Sequence, residues 1–213
     1  MARIVFDLDG TLIDSVPDLH AVANSVLADE GAAPITLDDA RSFIGDGTAV
    51  FVARMRHARG IPDAEQDRIL AAYMDRYEGA VAHTTVYPGV RAALDALGRD
   101  HALGVCTNKP VRPLTRVLAH FHLARHFRAV VGGDTLPVHK PDPAPLLAAF
   151  DELGDGPRLY VGDSEVDATT ADRDGVPFLL FTEGYRKGPA ADMPHAAAFA
   201  DWADLPRLVA ALA

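Results

Sequence analysis

The sequence predicts an α/β protein in which a doubly wound parallel sheet carries an inserted, all-helical unit. Three observations lead to this class. Short apolar runs alternate with helical patterns, as they do in sheets covered by helices on both faces. The interval 16–84 shows helical patterns and no convincing strand. Polar residues able to bind ligands directly follow several of the apolar runs.

Four apolar runs predict strands of the main sheet, and a weaker fifth run, Ala129–Val131, predicts another. Short, near-continuous apolar runs are typical of strands buried on both faces. The other four are Arg3–Phe6, Ala102–Cys106, Arg158–Val161 and Phe178–Phe181. Helices are predicted between them, over Gly89–Leu97, Val111–Phe121, Pro143–Leu153 and Glu165–Asp174. This alternation indicates parallel strands joined by crossover helices.

The interval after the first strand is predicted to be a helical insert. Pro17–Asp29 is followed by Gly31, and Thr48–Arg59 is followed by Gly60, so each helix has a glycine where a left-handed C-terminal residue is usual. A longer helix is predicted to start at Asp63, because its apolar and aromatic residues recur at helical spacing. They are Ile69, Tyr73 and Tyr77.

Composition excludes several classes of function. Twenty basic residues against thirty acidic ones give a formal charge of −10, which argues against a nucleic-acid partner. The single cysteine, Cys106, rules out an intrachain disulfide and fits a reducing compartment. No apolar stretch of about 18 residues predicts a membrane span, and the N-terminus lacks the apolar core of a signal peptide. We therefore expect a cytoplasmic protein with no membrane or nucleic-acid partner.

Polar residues at the ends of three predicted strands form the candidate site. In open α/β sheets, ligands bind outside the carboxyl ends of the strands, so these residues should converge on one crevice. They are Asp7 and Asp9 after the first strand, Thr107 and Asn108 after the second, and Asp163 and Asp167 after the fourth. Any single Asp there is also explained as a helix N-cap. Four acids at two strand ends are poorly explained in that way.

The charges of this cluster predict a bound cation. Two carboxylates 4 Å apart repel by roughly 4 kcal/mol at an effective dielectric constant of about 20. A few hard oxygen ligands with room for water favour Mg²⁺. Lys140 offers a second positive charge and Thr107 a hydroxyl group. This inventory fits phosphoryl transfer, with Asp7 as nucleophile and Asp9, on the same side of an extended segment, as the acid/base partner.

Four motifs together resemble those of the haloacid dehalogenase superfamily. The first is Asp7-Leu-Asp-Gly-Thr-Leu-Ile-Asp-Ser15, Thr107 resembles the second, Lys140 the third, and Gly162-Asp-Ser-Glu-Val-Asp167 the fourth. They occur in order and span nearly the whole chain. Within that superfamily, an acid at the position of Asp9 marks the branch that transfers phosphoryl groups, since the dehalogenases lack it.

The resemblance implies a role for each matching residue. Asp7 would be the nucleophile and a Mg²⁺ ligand, and Asp9 the general acid/base, touching the metal through its backbone carbonyl. Thr107 and the Asn108 amide would hold the phosphoryl group, and Lys140 would stabilise its charge. Asp163 would complete the metal site and Asp167 would hold its neighbours in place. Residues 1–15 and 85–213 would form the Rossmann-like catalytic core, and residues 16–84 a helical cap domain.

A finer resemblance is to phosphoglycolate phosphatases. It depends on Asp14-Ser-Val-Pro-Asp-Leu19, Phe43-Ile-Gly-Asp-Gly47, Thr107-Asn-Lys-Pro110, Gly132-Gly-Asp134 and Gly184-Tyr185. It implies hydrolysis of 2-phosphoglycolate, a small phosphorylated metabolite, to glycolate and phosphate in carbohydrate metabolism, by a monomer or homodimer. The cap would bind the carboxylate through backbone N–H groups at Gly45 and Gly47, or through Arg54 or Arg41. The alternative for the arginines is a solvated helix face.

Other interpretations stay open at this stage. A sugar-phosphate phosphatase, or a mutase similar to β-phosphoglucomutase, shares the same chemistry. A receiver-like phospho-signalling module shares the sheet, the acidic pocket and the phosphorylated aspartate, but needs no helical lid. Lys109 either adds positive potential to the site or faces solvent. The histidines of residues 120–126 are better explained as an exposed helix end than as a zinc site.

Overall fold

The computed structural model describes residues 1–213 and contains a six-stranded, all-parallel sheet. Its strand order is β5-β4-β1-β6-β7-β8, so the first strand lies in the middle. The strands are β1 (Arg3–Phe6), β4 (Ala102–Cys106), β5 (Ala129–Val131), β6 (Arg158–Gly162), β7 (Phe178–Phe181) and β8 (Ala197–Phe199). Two short strands, β2 (Ile13–Asp14) and β3 (Thr85–Val86), pair in antiparallel fashion outside this sheet.

Helices cover both faces of the sheet. Side chains of β1 alternate between the two faces: Ile4 and Phe6 pack into one apolar cluster and Val5 into another. The first cluster is closed by α5 (Val90–Leu97), α6 (Val111–His120) and α9 (Leu205–Leu212), and the second by α7 (Ala144–Glu152) and α8 (Glu165–Arg173). With both faces buried, the strands have the continuous apolar character that the sequence showed.

Four helices between β2 and β3 form the inserted unit. They are α1 (Val16–Asp29), α2 (Leu37–Phe43), α3 (Thr48–Ala58) and α4 (Gln66–Tyr77). They pack around an apolar cluster of their own, which includes Leu27, Met55, Ile69 and Tyr73. No helix of the chain is both long enough and apolar enough to span a bilayer.

Two chain segments connect the insert to the sheet, and Asp18 joins them. Its carboxylate, 3% exposed, accepts hydrogen bonds from the backbone N–H groups of His83 and Thr84 and from the Thr84 hydroxyl. The start of α1 is therefore bound to the segment that returns from α4. This pairing holds the two connections side by side at the edge of the candidate site.

The predicted fold class is confirmed, and all five predicted strands are present, with β6 one residue longer than expected. Gly31 and Gly60 follow α1 and α3 with positive φ angles, as predicted. The helix expected from Asp63 begins instead with a 3₁₀ turn, Asp63–Glu65, and becomes α-helical at Gln66. The sequence did not predict β2, β3 or β8. The first two have only two residues each, too few to show periodicity, and in β8 only Phe199 is buried.

Two helices were also missed. α9 lies in the Ala-rich C-terminal stretch, where its apolar face packs on the sheet cluster. α2 begins with a capping box, in which Thr36 and Asp39 exchange side-chain and backbone hydrogen bonds. The sequence contained that signal, since Thr36 directly precedes the helix and Asp39, three residues later, lies in its first turn.

Candidate active site

A cleft of about 730 Å³, its open mouth included, lies between the carboxyl ends of the strands and the helical insert. Asp7 and Asp9 follow β1, Thr107 and Asn108 follow β4, and Asp163 follows β6, which are three adjacent strands of the sheet. All of these residues and Lys140 line the cleft. The structure thus brings together the predicted strand-end residues, except Asp167, which lies directly behind them.

A tight turn after β1 sets the positions of Asp7 and Asp9. The carbonyl of Leu8 accepts hydrogen bonds from the backbone N–H groups of Thr11, Leu12 and Ile13. These three hydrogen bonds to one carbonyl close residues 8–13 into a tight turn. Gly10 occupies the turn at φ +91°, a conformation that L side chains rarely adopt. The turn keeps both aspartates at the cleft floor.

Lys140 connects two of the acids. Its Nζ lies 2.8 Å from Oδ1 of Asp7 and 2.7 Å from Oδ1 of Asp167, and it also donates to the Tyr160 hydroxyl. These contacts use all three ammonium hydrogens. Burial opposes the charge, but Asp167 and Asp7 outweigh it and raise the pKa of Lys140 above its ordinary value. The lysine is therefore a permanent cation beside the nucleophile candidate.

Asp163 lies in a cradle that only glycine permits. Its Oδ1 accepts from the Thr11 hydroxyl at 2.6 Å and its Oδ2 from the backbone N–H of Tyr185 at 2.6 Å. A Cβ atom added at Gly10 or Gly184 would lie 2.3–2.4 Å from the Asp163 side chain, closer than any real contact. Burial raises the pKa of Asp163 well above its ordinary value, and Asp167 and Asp7 raise it further.

Asp167 has two tasks. It forms a capping box at the start of α8, where Ser164 is the N-cap, and its other carboxylate oxygen accepts from Lys140 and the Tyr160 hydroxyl. Burial alone would raise the pKa of Asp167, but Lys140 and these hydrogen bonds lower it. The N-cap of α8 is Ser164, so neither Asp163 nor Asp167 is itself an N-cap, although Asp167 takes part in the capping box and also binds the lysine.

The acidic residues fit a metal ion. One oxygen from each of Asp7, Asp163 and Asp167 lies within 4.8 Å of the others, and all three side chains are buried. Burial raises the pKa of Asp7 to about 7 even against the opposing effect of Lys140. Lys140 supplies a single positive charge, shared by Asp7 and Asp167, so the three carboxylates together lack sufficient positive charge. This group of oxygens could therefore hold a metal ion.

Thr107 and Asn108 offer donors at the cleft floor. The Thr107 hydroxyl accepts from the backbone N–H of Lys109, and neither its own hydrogen nor the Asn108 backbone N–H has an acceptor within the chain. The Asn108 side chain is already used: Nδ2 donates to the carbonyls of Gly45 and Lys140, and Oδ1 accepts from the Lys140 N–H. The side-chain amide therefore joins the core to the insert, and only the backbone amide is free for a ligand.

The predicted residues of the insert separate into two groups. Gly45 and Gly47 line the cleft. Arg54 does not: its guanidinium lies 2.6 Å from Asp46 and donates to the carbonyl of Phe43, so it supports the glycine loop from outside. Arg41 also lies outside the lining. The arginine alternative for a carboxylate site is not supported by this arrangement.

Sequence reasoning missed or underrated three residues of the cleft. Lys109 is buried, not solvated, and contacts Asp9 and Tyr77. Tyr77, which the sequence analysis used only as evidence for a helix, contributes its hydroxyl group to the cleft. The Tyr185 hydroxyl accepts from the backbone N–H groups of Ser15 and Val16 and donates to Asp14, so it anchors the connection into α1. Only the Gly184-Tyr185 motif had signalled this position.

Comparisons with known proteins agree with this geometry. The family model for haloacid dehalogenase-like hydrolases matches residues 4–181. A phosphoglycolate phosphatase of Cereibacter sphaeroides is 48% identical, with 98% of each chain covered. One from Rhodobacter capsulatus is 45% identical, covering 97% of this chain and 95% of the relative.

A solved structure gives the same result. The crystal structure of a predicted phosphoglycolate phosphatase from Haemophilus somnus superposes with a TM-score of 0.90 at 31% identity, with 97% of each chain covered. The chain therefore belongs to the haloacid dehalogenase-like hydrolase family.

Proposed function

We propose that this protein is a Mg²⁺-dependent phosphatase that hydrolyses 2-phosphoglycolate to glycolate and phosphate. The observation that supports it best is the pair Asp7 and Asp9 at the floor of one cleft, with Lys140 against Asp7 and with acceptor-free donors at Thr107 and Asn108. The substrate follows from the phosphoglycolate phosphatases of Cereibacter sphaeroides and Rhodobacter capsulatus, which are 45–48% identical over nearly the whole chain.

The first step is in-line attack of Asp7 on phosphorus. Lys140 donates to Oδ1 of Asp7, while Oδ2 accepts no hydrogen bond and is the oxygen available for attack. A P–O bond to Asp7 forms as the P–O bond to the glycolate oxygen breaks. Asp9 gives its proton to that leaving oxygen. The products of this step are an aspartyl-phosphate and glycolate.

The second step returns the enzyme to its starting state. Asp9, now ionised, takes a proton from a water molecule whose oxygen attacks phosphorus, and the bond to Asp7 breaks. Throughout, the Thr107 hydroxyl and the Asn108 backbone N–H would donate to the phosphoryl oxygens. Lys140 keeps positive charge beside the reacting carboxylate, where such preorganised charge stabilises the transition state most.

The metal ion is proposed to be Mg²⁺. The side chains of Asp7 and Asp163 and the backbone carbonyl of Asp9 would hold it, with Asp167 fixing the surrounding groups through Lys140 and Ser164. When bound, the ion neutralises charge on the phosphoryl oxygens. All-oxygen ligands of this kind suit Mg²⁺ better than softer metals.

The insert, residues 16–84, is proposed to be a cap domain on a core of residues 1–15 and 85–213. Gly45 and Gly47 support this role, since both line the cleft and Gly47 is the N-cap of α3 without a side-chain cap. Backbone N–H groups here remain candidates for the substrate. We also propose that the protein is cytoplasmic, since its single cysteine is buried and forms no disulfide. It is further proposed to be a monomer or a homodimer.

A panel of phosphate monoesters tests the function. Phosphate release from 2-phosphoglycolate should require Mg²⁺ and exceed release from sugar phosphates, and EDTA should abolish it. Asp9→Asn should lower kcat by about 10²- to 10⁴-fold, the usual contribution of a general acid/base. Equal rates on all substrates would contradict the substrate assignment. Isomer interconversion without phosphate release would indicate a mutase, and a long-lived phosphorylated Asp7 would indicate a signalling module.

A further inference from the structure

Lys109 has no role in the chemistry proposed above, yet it is buried and lines the cleft. Its side chain is 1% exposed, and its Nζ lies 3.1 Å from Oδ1 of Asp9. It also donates to the hydroxyl of Tyr77 and lies 4.5 Å from the centre of that ring. Burying a lysine is costly, so its position in a ligand-sized cleft calls for an explanation.

The other cations of the cleft cannot bind a second anionic group of the substrate as well as Lys109 can. Three lysines and no arginine line the cleft. Lys140 uses its three hydrogens on Asp7, Asp167 and Tyr160. Lys187 is exposed at the surface. Lys109 is thus the buried lysine of the cleft whose ammonium group can still donate a hydrogen bond to a ligand.

Lys109 and Tyr77 each keep an unused donor. The Lys109 ammonium lies 3.1 and 3.4 Å from the two oxygens of the Asp9 carboxylate, which one hydrogen can share, and it donates a second hydrogen to the Tyr77 hydroxyl. Its third hydrogen is free. The Tyr77 hydroxyl accepts from Lys109 and donates to no acceptor of the chain. Two adjacent donors match the two oxygens of a carboxylate. Asp9 would keep the hydrogen bond from the Ser15 hydroxyl, at 2.6 Å, if Lys109 turned toward a ligand.

The location suits a short substrate. Lys109 is two residues beyond Thr107, and its backbone N–H donates to the Thr107 hydroxyl oxygen. The hydroxyl proposed to bind the phosphoryl group and the Lys109 ammonium therefore belong to the same short loop. Leu19, Phe51 and Tyr73 form apolar walls around it, which strengthens electrostatic attraction by excluding water. A second anion only a few bonds from the phosphate would lie beside Lys109.

We infer that Lys109 and Tyr77 form a carboxylate receptor that selects phosphate monoesters bearing a nearby carboxylate. This inference rests on the proposed phosphatase function and names the residues that choose its substrate. The receptor has one half on the core and one on the cap, because Tyr77 ends α4. A bound carboxylate therefore contacts both parts of the protein at once.

The test compares Lys109→Met with wild type on 2-phosphoglycolate and on ethyl phosphate, which has the same carbon count and no carboxylate. The preference is the ratio of the two kcat/KM values. Loss of a hydrogen-bonded charge should reduce this preference by about 10- to 100-fold. If Lys109 only positions Asp9, both substrates lose activity equally, and an unchanged preference overturns the inference.

Tyr77→Phe supplies an independent variant, because it keeps the ring and its packing against Tyr73. Its preference should fall by about 3- to 10-fold, as for one lost hydrogen bond. Arg112→Met is the matched charge control: Arg112 pairs with Glu78 next to Tyr77 but is 78% exposed outside the cleft. It should leave the preference unchanged within about twofold, the scale of an exposed ion pair.

The outcomes distinguish the two proposals. If wild type hydrolyses ethyl phosphate and 2-phosphoglycolate equally well, the proposed substrate is wrong and the receptor fails with it. If wild type prefers 2-phosphoglycolate and both Lys109→Met and Tyr77→Phe retain that preference, only the receptor fails. A preference lost in both variants and kept in Arg112→Met supports it.

Discussion

The two walls of the cleft differ in kind. The core wall, formed by residues at the carboxyl ends of the sheet strands, consists of charged groups that neutralise one another. The Lys140 Nζ, for example, lies 2.8 Å from Oδ1 of Asp7 and 2.7 Å from Oδ1 of Asp167. The cap wall is largely apolar, formed by side chains such as Ile44 and Phe51 and by the glycine loop. Charge that must stabilise a transition state needs rigid support from the sheet. A wall that recognises the rest of the substrate needs shape and a few donors.

Asp7→Asn should have the largest effect on activity, and it tests whether the nucleophile belongs to the core wall. An amide is a poor nucleophile, so kcat should fall by about 10⁴-fold or more, as when other nucleophiles are removed. Phosphate release and trapping of the aspartyl-phosphate measure it. Asp155→Asn makes the same chemical change at an exposed loop residue and should retain full activity. Substantial turnover by Asp7→Asn would refute the mechanism.

Lys140→Met should be the most destabilising change at the core wall. It would leave Asp7 and Asp167 buried without their cation, and breaking a buried pair in this way costs about 3–5 kcal/mol. Chemical denaturation gives the free energy of unfolding. Arg207→Met removes the exposed partner of Asp204 and should cost at most about 1 kcal/mol. Similar losses of unfolding free energy in both variants would mean that the buried ion pairs of Lys140 contribute no more to stability than an exposed surface pair does.

The pH dependence of stability sharpens the contrast between metal-free and metal-bound core walls. Asp7 has a pKa of about 7 in the fold against an ordinary 3.8, so the folded state binds its proton more tightly. Its contribution to stability is therefore full below about pH 4 and is lost as the pH rises through about 7.

In EDTA, the melting temperature of wild type relative to Asp7→Asn should fall over that pH range. Each 1 kcal/mol corresponds to about 2–4 °C in a protein of this size. Mg²⁺ should shrink this fall, because a cation stabilises the ionised carboxylate. If the difference in melting temperature between wild type and Asp7→Asn stays constant from pH 4 to 7, with or without Mg²⁺, the pKa of Asp7 is not raised in the folded protein.

Arg54→Met should have the smallest effect and tests the cap wall. Because Arg54 pairs with Asp46 outside the cleft, KM for 2-phosphoglycolate should change by no more than about twofold, the scale of a partly exposed ion pair. A tenfold rise in KM would indicate that Arg54 contacts the substrate. The loop of Gly45 and Gly47 would then have to rearrange when the substrate binds.

The core was predictable because its signals are local. Buried strands such as Arg3–Phe6 are short apolar runs, and the residues that follow them converge wherever strands are parallel. The turn that places Asp7 and Asp9 is also local, since it depends on Gly10 and on hydrogen bonds within residues 8–13. β8 escaped prediction because Ala197–Phe199 becomes a strand only by pairing with β7.

The sequence by itself determined the fold class, the acidic strand ends and the family motifs, because each is encoded by residues close together in the chain. Only the tertiary structure decided how the cleft is completed. It placed Arg54 outside the cleft, paired with Asp46, and used the Asn108 side chain as a link to the insert. It also buried Lys109, for which the sequence left solvent exposure open, beside Tyr77. These outcomes depend on which side chains meet across the cleft, and burial and pairing between distant segments have no local signature.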